Sequence, residues 1–232
     1  MSDVKFGQLA LSVGLRDDAT LDTFFSGDNQ EMVATLSNVQ QSQEQFIFLW
    51  GPDGVGKTHL LQGTCHSVTG KGHGALYLPL ADLCYRSDLF VGLEQLSLVC
   101  LDDIDVIAGQ SVWEEAIFHL FNRLKTSGTT LMVASTMPPR QLPIILPDLR
   151  SRLHWGLTYH IHPLNDEQKL KALSLRAYNR GIELPLDVGR FLLSRCVRNM
   201  GELYAILDQL DSASLAAQRR LTIPFVKRVL HI

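Results

Sequence analysis

The sequence predicts an α/β domain built on a parallel sheet with helices on both faces, followed by a small all-helical subdomain. Three observations carry that expectation. Short apolar runs alternate with helix-length connections between residues 46 and 161, the pattern of strand–helix–strand crossovers. A complete phosphate loop, Gly51-Pro52-Asp53-Gly54-Val55-Gly56-Lys57-Thr58, stands between one such run and a helical pattern. Beyond Pro163 the strand signal stops and only helical periodicity remains.

Residues 1–16 read as a weakly structured lead-in carrying Gln8-Leu9-Ala10-Leu11-Ser12-Val13. A turn at Ser26-Gly27-Asp28-Asn29 precedes a helix expected over about 29–41, with Met32, Val33, Leu36 and Val39 on one side. Strands are expected at 46–50, 75–79, 98–101, 131–135 and 158–161. Runs such as Leu98-Val99-Cys100-Leu101 and Leu131-Met132-Val133-Ala134 are apolar throughout, as strands buried on both faces are. Helices are expected over 57–69, near 81–87 and over 113–126. After Pro163, Asn165-Asp166-Glu167 can cap a helix running to Arg180 and closed by Gly181. Further helices follow near 186–196, 200–217 and 224–231, the last opened by Pro224. The expected division is a tail over 1–16, a nucleotide-binding domain over 17–163 and a helical lid over 164–232.

At 232 residues, 46% hydrophobic and 19% charged, the chain can build one substantial core with a smaller appendage. Its net charge of −3, with no basic run longer than two, argues against a nucleic-acid-coating surface. Any DNA contact is expected to be indirect or weak. Cys65, Cys84, Cys100 and Cys196 show no C-x-x-C pairing, and three fall within apolar patterns, as reduced thiols of a cytoplasmic protein do. No stretch has the length of a membrane span, the N-terminus lacks a signal-peptide pattern, and the histidines lack metal-ligand spacing.

The phosphate loop sets the chemistry. Gly51, Gly54 and Gly56 allow successive N–H groups to point at one anion. Lys57 reaches the outer phosphates, Thr58 offers a hydroxyl to Mg²⁺, and the helix start adds its positive dipole end. The run Leu98–Leu101 ends in Asp102-Asp103, on a strand expected beside that of the phosphate loop. Asp102 suits the metal shell, and Asp103 suits orienting or deprotonating a water. Both are also ordinary strand-end carboxylates. Thr136 ends the next strand, either to hold that water or to cap the turn that Pro138-Pro139 impose. Arg150 and Arg152 are either solvated cations or candidates for an arginine finger reaching a neighbour's nucleotide.

Phosphate loop, Asp-Asp strand end, polar strand end, late arginine and helical lid stand in the order found in AAA+ ATPases. Gly-Lys-Thr-His-Leu-Leu (56–61), Leu-Asp-Asp-Ile (101–104), Ser-Arg-Leu-His-Trp-Gly-Leu-Thr (151–158) and Gly-Ile-Glu-Leu-Pro (181–185) resemble the AAA+ core of the bacterial replication initiator DnaA. The sequence ends before a DnaA-type DNA-binding domain could begin. With the Gln-Leu-x-Leu segment and residues 207–211 and 221–227, it resembles the DnaA-homologous regulatory inactivators of the Hda family over nearly its whole length.

That resemblance implies a regulator that binds ADP (or ATP), docks on the DNA polymerase sliding clamp and stimulates ATP hydrolysis by DnaA. It implies that Gly51, Pro52, Asp53, Gly54, Val55, Gly56, Lys57, Thr58 and His59 hold phosphates. The 24–29 segment, with Phe25, Asp28 and Asn29, would pack on the base. Arg152 would reach into DnaA's ATP, with Arg150 as runner-up, and Gln8, Leu9 and Leu11 would enter a clamp pocket. Ala10, Ser12 and Val13 depart from the usual clamp motif. Gly201 stands where AAA+ lids carry the sensor 2 arginine, for which Arg198 is the nearby substitute. The alternatives are a self-associating motor such as a helicase loader, a P-loop enzyme phosphorylating a small molecule, and a module whose nucleotide is structural.

Overall fold

The computed structural model describes residues 15–42, 44–83, 89–196 and 199–232. Five strands, β1 (Phe46–Trp50), β2 (Ala75–Pro79), β3 (Leu98–Asp102), β4 (Thr130–Ser135) and β5 (Leu157–His160), form one sheet in the order β2-β3-β4-β1-β5. Every adjacent pair is parallel, so all strands finish at the same edge. Eight helices are described: α1 (Gln30–Ser37), α2 (Lys57–Gly70), α3 (Ser111–Ser127), α4 (Pro147–Leu153), α5 (Asp166–Asn179), α6 (Leu186–Arg195), α7 (Met200–Ala217) and α8 (Ile223–Leu230). None of them is long and apolar enough to cross a membrane.

Alternation along each strand divides the core into two layers. Ile47, Leu49, Met132 and Ala134 pack with Leu36 of α1 and Leu60, Leu61 and Cys65 of α2. Phe46, Phe48, Leu131 and Val133 pack with Ile117, Leu120 and Phe121 of α3 and Leu149 and Leu153 of α4. Both layers exclude water, which explains the unbroken apolar runs. The four C-terminal helices bury their own clusters, one around Val188, Leu192, Leu210 and Val226, another around Leu173, Leu203 and Leu207.

The architecture is the one the sequence predicts, with local differences that have causes. α1 stops at Ser37 instead of about 41. Asn38 Nδ2 donates to Ala34 O (3.0 Å), the carbonyl that the Asn38 N–H would take in a continuing helix, and that N–H bonds Thr35 O (3.1 Å) instead. Of the helix expected near 81–87, the described part holds a 3₁₀ turn at Leu80–Asp82 followed by extended Leu83, and residues 84–88, with Cys84, lie outside the described residues. So do Gln8, Leu9, Leu11 and Arg198. α4 was not expected as a helix; it is one short turn-pair opened by Pro147, with Leu149 and Leu153 on its buried side. The strand bearing Asp102 is also not beside the phosphate-loop strand: β4 lies between β1 and β3. The two ends still meet because α2, which leaves the phosphate loop, packs across β2 and β3.

Candidate functional site

The phosphate loop leaves β1 at the edge where parallel α/β sheets bind ligands. Gly54 and Gly56 have φ of +75° and +101°, a left-handed backbone that side chains resist. A methyl group on Gly56 would lie 2.7 Å from the Phe24 ring, and one on Gly54 would run into the Asn199 amide. The N-cap of α2 is Gly56, which offers no side-chain acceptor to the first-turn N–H groups. Those donors and the helix dipole are the anion-binding end of the loop. Lys57 is buried, and its Nζ donates to Gly51 O (2.9 Å) and Pro52 O (3.3 Å) and lies 3.5 Å from Asp53 Oδ1. The cation is held inside the loop that would face the phosphates.

Asp102, at the end of β3, is fully buried and saturated with donors. Its Oδ2 accepts from Thr58 Oγ1 (2.6 Å) and from Tyr77 OH (2.8 Å), and its Oδ1 accepts from Asp103 N (3.1 Å). Burial, then the charge of Asp102, pushes the Tyr77 phenol well above its usual range, so the hydroxyl stays a donor. Asp103 is half-buried with φ +56°. Burial first, then the carboxylates of Asp102 and Asp105, push it up to about 6 against the opposing pull of Lys57. Thr136 gives both its N–H (3.0 Å) and its hydroxyl (3.1 Å) to Asp105.

A cleft of about 340 Å³ opens between this loop and the helical lid. Among the sequence-predicted residues, Phe25, Asn29, Asp53, Gly54, Val55, Gly56, Lys57, Thr58, His59 and Asp103 line it, with Gly201, the residue expected at the sensor 2 position. Gly51, Pro52, Asp28, Asp102 and Thr136 do not reach its wall. Asn29 uses its amide on His162, donating to the backbone O (3.0 Å) and accepting from the N–H (2.8 Å), which fastens the 26–29 turn to the chain after β5. Asp28 accepts from Gln168 Nε2 of α5 (3.2 Å). His59 Nε2 lies 2.8 Å from Thr20 O, and burial pulls the imidazole below its ordinary value.

The lid supplies residues in and around the cleft that sequence reasoning missed, with Arg176, Tyr204 and Asp208 on its wall. Asn199 caps α7 by accepting from Gly201 N (2.8 Å), and its amide rests against Gly54. Arg176 of α5 stacks over Tyr204 (4.5 Å) and pairs with Asp18 (2.7 Å) and Asp208 (3.2 Å). Arg180 joins the same network through Asp208 (2.6 Å). Tyr77 and Asp105 were missed as well. Only the Asn199 helix start and the proximity of Asp105 to the Asp-Asp pair left any trace in the sequence.

Arg152 stands elsewhere. Its Cζ lies 5.7 Å from the Phe121 ring centre and 5.3 Å from that of Trp155. Phe121 packs at 5.2 Å on Phe46, the first residue of β1, whereas the phosphate loop follows the last. The arginine and the cleft therefore sit at opposite ends of one strand. Arg150, on the same helix, is exposed.

Among the described residues no group of three or more His, Cys, Asp or Glu could hold a metal. The paired Thr58 hydroxyl and Asp102 carboxylate are hard oxygen donors, and one or two such groups beside substrate phosphates are what Mg²⁺ requires of a protein.

Two family models match the chain: the Hda lid domain over residues 166–230 and the bacterial DnaA ATPase domain over residues 87–160. Among solved structures, domain III of the Thermotoga maritima replication initiation protein DnaA superposes with a TM-score of 0.80 at 21% identity, covering 94% of this chain and 98% of that one. AMPPCP-bound DnaA from Aquifex aeolicus gives 0.72 at 23% identity, covering 85% of this chain and 66% of its own. The Thermotoga maritima RuvB branch-migration motor gives 0.69 at 15% identity, covering 92% and 71%. At these identities the structural likeness speaks for the AAA+ fold, and the two family models speak for the lineage. The chain thus joins an AAA+ fold to one stretch matching the bacterial DnaA ATPase domain and one matching the Hda lid domain, a combination consistent with an Hda-like DnaA homologue.

Proposed function

We propose that this chain is a cytoplasmic regulator of replication initiation: it holds ADP or ATP in its own cleft, docks on the sliding clamp, and stimulates ATP hydrolysis by DnaA through Arg152. The observation that carries this reading is the separation just described. A complete phosphate-binding cleft lies at one end of β1, and an arginine lies at the other, where it serves no phosphate bound by its own chain. A planar guanidinium suits the charge spread over a transferring phosphoryl group, and such a finger supplies roughly 10³–10⁵ in rate.

Within the chain's own cleft, the N-terminal N–H groups of α2 and Lys57 would bind the phosphates. Thr58 and Asp102 would hold Mg²⁺, which when bound neutralises phosphate charge. Asp103 would orient a water, but two features argue for slow intrinsic hydrolysis: Thr136 is committed to Asp105, and a glycine, Gly201, stands at the expected sensor 2 position. The Aquifex neighbour is bound to AMPPCP, which supports an adenine nucleotide here. The clamp contact rests on Gln8, Leu9 and Leu11 as a sequence motif.

The test mixes the protein, ADP, the clamp loaded on DNA and ATP-bound DnaA, and measures phosphate release. Stimulation is expected and should vanish in Arg152→Ala and, separately, in Gln8→Ala/Leu9→Ala. Stimulation that survives Arg152→Ala removes the finger assignment. The same separation of arginine and cleft would also serve a ring of copies of this chain. That motor reading requires ATP-dependent self-assembly in gel filtration and DNA-stimulated hydrolysis.

A further inference from the structure

We infer that Trp155, together with Phe121, is a positioning residue for Arg152: the two rings form a shelf that holds the guanidinium without neutralising it. The inference rests on the finger reading above and adds the residue that makes the finger usable. Arg152 stands in the last turn of the short helix α4, and Trp155 follows in the next turn, with its N–H donating to Arg152 O at 3.0 Å. The guanidinium carbon lies 5.3 Å from the centre of the Trp155 ring and 5.7 Å from that of Phe121. Among the described residues the Arg152 guanidinium takes part in no ion pair and no hydrogen bond, and it lies over these two rings.

That environment is unlike the other structural arginines of the fold. Arg176, Arg180 and Arg123 are each tied to carboxylates, which fix the side chain and cancel its charge. An arginine that must meet a phosphate on another molecule needs the first effect without the second. Aromatic faces provide this, because they restrain a planar cation by stacking and quadrupole attraction and carry no net charge. The ring of Trp155 also carries Lys125, whose Nζ lies 3.5 Å from its centre. Arg152 and Lys125, neither of them in an ion pair among the described residues, thus share one half-exposed tryptophan, an arrangement that suits a triphosphate on the approaching surface. Restricting the side chain before contact lowers the ordering cost at the moment the finger engages.

The bland alternative is that Trp155 merely packs the end of α4 onto α3, and the two accounts differ in what is lost. Phosphate release by ATP-bound DnaA is measured over a range of concentrations of this protein, with ADP and the DNA-loaded clamp present. Trp155→Leu should lower the maximal rate about tenfold while the half-saturating concentration stays within about twofold, the signature of a lost transition-state contact. Trp155→Phe, which keeps a ring, should retain at least about half of the maximal rate. In an Arg152→Ala background, Trp155→Leu should add no further loss, because Trp155 acts only through that arginine. Binding of a fluorescent ADP analogue checks that each variant is folded, and Trp155→Met replaces the leucine variant if it is not. A full maximal rate in the folded leucine or methionine variant, with Arg152→Ala inactive, overturns the shelf and leaves the finger standing. A full rate in Arg152→Ala overturns the finger and the shelf with it.

Discussion

Asp103 is the residue at which structure and chemistry meet most directly. It follows Asp102 in a left-handed turn, and Asp105 faces it two residues on. Burial, together with those two charges, raises its carboxyl from the ordinary value near 3.9 to about 6. Folding therefore favours the protonated form: the contribution to stability is complete below about pH 3.9 and is lost as pH rises through 6. Asp103→Asn should gain thermal stability over the wild type between pH 4 and pH 7.5, as read by melting temperature across that range. A difference that stays flat with pH would show that the carboxyl titrates normally. The Asp-Asp pair itself was legible as the polar end of an apolar strand. The engagement of Thr136 by Asp105 was not, because the residues are 31 positions apart and only the 3₁₀ turn Ile104–Ile107 swings one toward the other.

Among the elements, the short helix that carries Arg152 is held by an unexpected clamp. Glu114 of α3 is fully buried and accepts from Gly109 N (2.7 Å), Ile145 N (3.0 Å) and Leu146 N (2.7 Å). One carboxylate thus joins the loop after β3 to the segment entering α4. Glu114→Ala would leave three backbone donors without a partner, at about 1–3 kcal/mol each, so a loss of at least about 3 kcal/mol is expected in urea unfolding. Glu114→Gln, which keeps an acceptor oxygen, should lose about half as much. A loss below about 1 kcal/mol for the alanine variant would mean that water satisfies those groups. The elements differ in how plainly they announce themselves. α5 was readable because its start, Asn165-Asp166-Glu167, and its closing Gly181 are local signals, and the structure adds a capping box between Asn165 and Gln168. α4 was not, since seven residues behind a proline hold too few apolar positions to show a period.

For the molecule as a whole, the question is how the lid stays over the cleft. Asn199 rests on the phosphate loop at Gly54, and Arg176 of the lid helix α5 and Arg180 at its C-cap reach Asp18 of the core. Asp18→Asn should therefore speed the release of a fluorescent ADP analogue by severalfold, most strongly at low salt, where partly exposed ion pairs are least screened. An unchanged release rate would show that these pairs do not latch the lid. The phosphate loop, the buried strands and the capped lid helices were determined by the sequence alone, because each depends on residues within one or two turns of one another. The strand order that inserts β4 between β1 and β3 was decided only in three dimensions. So were the tyrosine on Asp102, the arginine network joining residues 18, 176 and 208, and the aromatic shelf beneath Arg152. Those pairings join side chains from separate elements, and no short window of sequence records which distant surfaces the core will press together.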